Sequence, residues 1–160
     1  MRKALAIILA CILVNSCAVL KPPVITKNYP IGEFKYVFIP ATSSLTSGAG
    51  ATYGGGYYSS TKTVNPRDVI SGILMKEGFI LLPEIKQELA AKTLIVNYGE
   101  SGRRYIAGGL GGYTIEVTIK FLSAKTYETI CSCTAEGIGS TEADDIRKAI
   151  DRCLSGLFLK

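Results

Sequence analysis

Tyr113-Thr114-Ile115-Glu116-Val117-Thr118-Ile119-Lys120-Phe121-Leu122-Ser123 alternates apolar with polar side chains at a period of two. Ile115, Val117, Ile119 and Phe121 therefore point to one face of a strand, and Thr114, Glu116, Thr118 and Lys120 to the other. One buried and one wet face is the mark of an antiparallel sheet covered on a single side. Working outward, Leu94 to Tyr98 reads as a central strand, and Glu128 to Glu136 as a strand whose Cys131, Cys133 and Ala135 share a face. Phe34 to Ile39, aromatic and β-branched and closed by Pro40, is the first strand; Ile80 to Leu82, stopped by Pro83, is a short one.

Two helices accompany these strands. Asn65-Pro66-Arg67-Asp68 supplies an N-cap, a proline where no donor is missed and an acid near the positive end of the helix dipole. Val69, Ile70, Ile73 and Leu74 form its apolar stripe, and Gly78 ends it. The last helix starts at Ser140-Thr141-Glu142-Ala143-Asp144-Asp145, and its stripe is Ile146, Ile150, Cys153 and Leu157. Glu84 to Ala91 reads as a further short helix. The fold expected is α+β, a mainly antiparallel sheet of four to five strands with two main helices packed on one face.

Two stretches show neither period. Thr42 to Val64 carries Gly48, Gly50, Gly54, Gly55 and Gly56 among Ser, Thr, Tyr53, Tyr57 and Tyr58, and reads as a long loop. Gly99 to Gly112 holds six glycines with Arg103, Arg104 and Tyr105. Counting passes from the first strand places both loops and the Gly137 to Ser140 connection at one pole. The chain is then expected to enter the fold at the other.

The start of the chain reads as an address. Arg2 and Lys3 precede an apolar run from Ala4 to Val14, too short for the roughly 20 residues of a membrane span, and Asn15-Ser16-Cys17 follows. Leu13-Val14-Asn15-Ser16-Cys17 resembles the bacterial lipobox, with Asn15 unusual there; Ser16-Cys17-Ala18 also fits ordinary cleavage after Ala18. The organisation expected is a lipoprotein signal peptide over 1–16, lipidated Cys17 with a Pro-containing tether to residue 32, and one domain over 33–160. A polyproline-like tether of that length reaches about 45 Å.

Composition narrows the chemistry. The 160 residues include no His and no Trp, and the formal charge is +5. Without His there is no Ser-His-Asp or Cys-His pair and no His-ligated metal or haem. Cleavage before Cys17 removes Arg2 and Lys3, leaving 16 basic against 13 acidic side chains, or +3. No basic cluster stronger than Arg103-Arg104 then supports nucleic-acid binding.

The remaining candidates each have a plain alternative. Cys153 pairs with Cys131 or Cys133 in an oxidising compartment, or all three stay buried thiols; Cys-Ser-Cys on a strand lacks the spacing of a redox motif and a zinc site lacks ligands. Glu142, Asp144 and Asp145 suit a helix N-terminus better than an acid pair or a cation site. Glu100-Ser101-Gly102-Arg103-Arg104 could bind an anion, or be a solvated hairpin tip. Tyr53, Tyr57 and Tyr58 on a Gly/Ser background have the amphipathic character of binding loops.

Several features together resemble a loose group of small bacterial envelope lipoproteins. They are the lipobox at Cys17, the Gly78-Phe79 step after the helix, the strand entry Ala91-Lys92-Thr93-Leu94-Ile95-Val96, the long strand ending in a turn at Thr126, and the closing helix Ile146 to Phe158. The group comprises the lipopolysaccharide-assembly lipoprotein, the curli-secretion lipoprotein, the lipoprotein activators of penicillin-binding proteins and uncharacterised families of the same α/β shape. The turn departs from the group's pattern in lacking its Asp and Thr-Gly, and no family binding residue carries over.

The resemblance implies an outer-membrane lipoprotein facing the periplasm, with a palmitate-type lipid anchor. The function expected is non-catalytic binding of a protein or envelope component through a distal pole bearing Tyr53, Tyr57, Tyr58, Arg103, Arg104 and Tyr105, without metal, cofactor or nucleic acid. The alternatives are a small ligand binder or carboxylate enzyme using groups such as Glu100 and Glu136, and a structural subunit of a surface assembly.

Overall fold

The computed structural model describes residues 20–53, 56–106 and 112–158, with side chains outside 49–58. The signal peptide expected over 1–16 and Cys17 lie outside them. The chain is α+β. In order it runs β1 (Val24–Lys27), a 3-10 turn (Ile31–Glu33), β2 (Tyr36–Phe38), β3 (Leu45–Tyr53), β4 (Gly56–Val64), α1 (Pro66–Lys76) and β5 (Ile80–Leu82). A second 3-10 segment (Gln87–Lys92), β6 (Thr93–Tyr105), β7 (Tyr113–Ser123), β8 (Thr129–Gly137) and α2 (Glu142–Phe158) complete it.

The main sheet has six strands in the order β1-β8-β7-β6-β2-β5, larger than expected and mixed. β1, β8, β7 and β6 pair antiparallel, whereas β2 pairs parallel with both β6 and β5. The parallel half has a simple cause. The chain between β2 and β5 passes through the β3–β4 hairpin and α1, a crossover long enough to bring β5 back parallel to β2.

The caps that bound α1 are those its sequence announces. Asn65 Oδ1 accepts from the Arg67 amide at 3.1 Å, and Thr42 donates to the same oxygen at 2.7 Å. At the other end Gly78 adopts φ +93°, and the Phe79 and Gly78 amides donate to Leu74 and Met75 carbonyls, a Schellman closure.

Of the β7 side chains expected on the wet face Lys120 is exposed, but Thr114 is buried. On the core side β7 fulfils its alternation: Ile115, Val117, Ile119 and Phe121 are fully buried. With Val37, Leu94 and Val96 from the neighbouring strands they meet Ile70 and Leu74 of α1 and Ile146, Ile150, Leu154 and Leu157 of α2 in one core. A smaller cluster of Ala90, Ile95 and Ala124 packs under the second 3-10 segment, which stands where a short helix over Glu84 to Ala91 was expected.

Three expectations are corrected. Thr42 to Val64 is no structureless loop. It contains the β3–β4 hairpin, paired from Leu45–Val64 to Tyr53–Gly56. Its apolar anchors are at the open end, where Val64 is buried and Leu45 packs against the core, and the Gly, Ala, Ser and Thr between them show no period. The first half of the Gly99 to Gly112 stretch is strand, because β6 continues to Tyr105. The tether is shorter than 17–32, since Val24–Lys27 is an edge strand on β8 and the fold begins ahead of residue 33.

The edge strand also reverses the polarity. β1 adds one pass that the count of strands from Phe34 omitted, so the chain enters at the pole carrying Arg103 and Arg104, not opposite it. The Lys21 amide donates to Glu136 Oε2 at 3.0 Å, and Arg152 donates to the Lys21 carbonyl at 2.8 Å.

Candidate functional site

The pole is organised by a β-bulge. Between Glu100 and Gly102 the β6–β7 register slips by one residue, so Gly102, Arg103 and Arg104 lie opposite Glu116, Ile115 and Thr114. A bulge swaps the faces that follow it. Arg103 turns to the helix side of the sheet and Arg104 to the open side. Ser101, the extra residue, donates to Glu116 Oε1 at 2.8 Å.

Arg104 forms a fork on Glu136, with Nε–Oε1 at 2.8 Å and Nη2–Oε2 at 2.6 Å. Glu136 is buried at the end of β8 and directly opposite Glu116. Two carboxylates facing each other across a ladder repel. The Arg104 fork offsets this and, with the Lys21 amide, holds the Glu136 carboxyl down to about 2. Lys21 Nζ adds a contact at 3.8 Å.

On the helix side Arg103 pairs with Glu142 in the first turn of α2 and lies 5.0 Å from the Tyr113 ring centroid. Tyr105, two residues on, stacks edge-on to Tyr113 at 6.4 Å and is largely exposed. The β3–β4 hairpin joins here: Ser47 Oγ accepts from the Ala143 amide at 2.8 Å, and Lys62 reaches Asp144 at 2.6 Å. Lys62, with Ser140, holds the Asp144 carboxyl down to about 2. Asp145 is buried and accepts from the Gly139 amide, and burial pushes its carboxyl up.

A cavity of about 280 Å³ sits among these groups, lined in part by Ser47, Tyr113, Ser140, Glu142 and Asp145.

The three connections expected at one pole do converge. The Arg103 and Arg104 guanidiniums are ion-paired to Glu142 and Glu136 and still partly exposed, so an anion would meet their outer edges and not a free cation. Tyr53, Tyr57 and Tyr58 belong to the hairpin's closed end in backbone register, and the contact role expected of their side chains lies outside the described residues. Lys21, Ser47 and Lys62 carry no signal in the sequence, because their partners are 78 or more residues away, and Arg152 joins Lys21, 131 residues away, to the end of β8. The one local signal for the bulge is Gly102 within a strand.

Cys153 bonds to Cys133, which ties α2 to β8, and Cys131 is a buried free thiol that burial pushes up to about 11. A thiol so protonated is a poor nucleophile.

The paired Glu136 makes stability depend on pH. Its folded value lies below the unfolded one, so its contribution is complete above about pH 4.3 and is lost as pH falls toward 2. The loss amounts to on the order of 3 kcal/mol. Urea unfolding at pH 5 and pH 2.5 should show it, and Glu136→Gln should flatten the difference; an unchanged slope in the variant would assign the effect to other carboxylates.

Compared with protein-family models, curated proteins and solved structures, the chain matches none.

Proposed function

We propose that this chain is a non-catalytic, lipid-anchored module of the cell envelope, held at the outer membrane through Cys17 and facing the periplasm, that binds a protein or another envelope component through its Gly/Tyr/Arg-rich pole. The state of the pole's carboxylates carries this reading. Glu136, Glu142 and Asp144 are each ion-paired, and Asp145 is tied to a backbone amide. General acid–base work needs a carboxyl poised near the working pH and within reach of a substrate. Glu136 and Asp144, held far below that range by their ion pairs, serve a rigid surface instead. The Cys133–Cys153 disulfide supports an oxidising compartment.

One observation favours the small-ligand alternative: Asp145, with its raised carboxyl, and Glu142 both line the cavity. Its volume of about 280 Å³ is just short of the roughly 300–1,000 Å³ typical of ligand pockets. Both carboxylates are already satisfied by protein donors, so the binding-surface reading is the stronger.

Fractionation tests the anchor. The wild-type chain should sediment with membranes and Cys17→Ser should appear in the soluble envelope fraction. Equal partition of the two would remove lipidation at Cys17 from the account.

A further inference from the structure

The binding pole lies beside the point where the chain would leave the lipid. Lys21 is hydrogen-bonded to Glu136 and Arg152, and it is only four chain steps from Cys17. A fully extended chain of that length spans about 14 Å. The far pole, marked by exposed Tyr127 in the β7–β8 turn, is an entire β7 strand away, about 35 Å at 3.3 Å per residue. A chain acylated at Cys17 therefore cannot hold this pole far from the bilayer surface, whatever its orientation.

The pole's charges are also sorted by depth. In the four ion pairs the cation is always the more exposed partner: Lys21 65% against Glu136 3%, Lys62 47% against Asp144 17%, Arg103 49% against Glu142 22%, and Arg104 36% against Glu136 3%. Within these pairs the carboxylates lie behind and the ammonium and guanidinium ends outward; Glu116 beside them is half-buried, and Glu100, further back on β6, is exposed. Tyr105 stands among them, 68% exposed, with the amphipathic character of side chains that settle at headgroup level. A surface showing cations and an aromatic outward complements anionic phosphate headgroups.

We infer that the partner of this pole is the membrane itself: Lys21, Lys62, Arg103 and Tyr105 rest on the anionic phospholipid headgroups of the leaflet that holds the acylated Cys17. The inference builds on the lipid anchor proposed above and names the envelope component that the pole binds. It turns the Lys125–Glu128 turn and the far end of the sheet toward the periplasm.

The test uses the full acylated protein, purified in detergent and reconstituted into phosphatidylethanolamine vesicles containing phosphatidylglycerol. A photo-crosslinking p-benzoylphenylalanine replaces Tyr105 in one sample and Tyr127 in another; both sites are exposed, so neither replacement disturbs the core. Position 105 should form phospholipid adducts and position 127 should not. Exchanging phosphatidylglycerol for phosphatidylcholine should lower the yield at 105 about fivefold, the equivalent of about 1 kcal/mol for one cation at an anionic surface. Equal yields at the two positions, or a higher yield at 127, would overturn the inference. So would a protein adduct as the main product at 105 in native membranes, which would assign the pole to a protein partner. Intact mass of the same sample reports acylation separately, so a chain without lipid is a failure of the anchor and an acylated chain that crosslinks through 127 is a failure of the orientation alone.

Discussion

Replacing Gly137 with alanine should dislodge the last helix. A Cβ at this position would lie 1.9 Å from the Asp145 carbonyl oxygen, 2.6 Å from the Ala149 nitrogen and 2.9 Å from the Asp145 carbonyl carbon. All three are backbone atoms of α2, so no rotamer change relieves the overlap. The helix must move off β8, and with it Ile146, Ile150, Leu154 and Leu157, all essentially fully buried. Overpacking costs about 1–3 kcal/mol even where side chains can yield, and here the cost should reach about 3 kcal/mol or more. That is a large share of the roughly 5–15 kcal/mol of a typical domain. A fall in Tm of about 10 °C is expected by circular dichroism. Gly72→Ala is the control. It lies within α1 with nothing within 4 Å of its Cβ, so it should be neutral or gain up to about 1 kcal/mol. A Gly137→Ala protein that melts with the wild type would show that α2 does not lie this close to β8.

Reduction of the Cys133–Cys153 bond is the second large effect. The bridge closes a loop with a sequence separation of 20. The chain-entropy account gives about 3 kcal/mol for a loop of that size. At the usual dependence on urea, the unfolding midpoint should fall by about 1–3 M when dithiothreitol is added. The variants separate the two pairings the sequence allows. Cys131→Ala should keep the sensitivity to reductant, and Cys153→Ser should abolish it. If Cys131→Ala alone abolished it, the bridge would join Cys131 to Cys153.

What the sequence disclosed follows from which segments carry a burial pattern. β7 was legible because its four inward residues all enter the core, and α1 because Asn65, Pro66 and Gly78 mark its ends. β3 and β4 were not. They pair with each other over nine positions while Gly, Ala, Ser and Thr leave no period to read. β1 was hidden by its neighbours: Pro22-Pro23 suggests an extended tether, and of Val24, Ile25, Thr26 and Lys27 only Ile25 packs against the core. Missing that one edge strand reversed the inferred polarity of the molecule.

At the pole, Arg103 and Arg104 could be singled out by charge, but their partners could not. Glu136 is 32 residues from Arg104 and Glu142 is 39 from Arg103, and both pairings depend on the bulge at Ser101. Without the slip Arg103 and Arg104 would exchange faces. The same two side chains would then read as a hairpin tip in solvent, which is how sequence spacing presents them.

The proposed compartment, membrane and orientation all rest on lipidation at Cys17. The most direct measurement is the intact mass of the mature chain extracted from membranes, with fragmentation to locate its first residue. The result expected is a chain beginning at Cys17 that carries a diacylglyceryl group and an amide-linked acyl chain. An unmodified chain beginning at Val19 would contradict it.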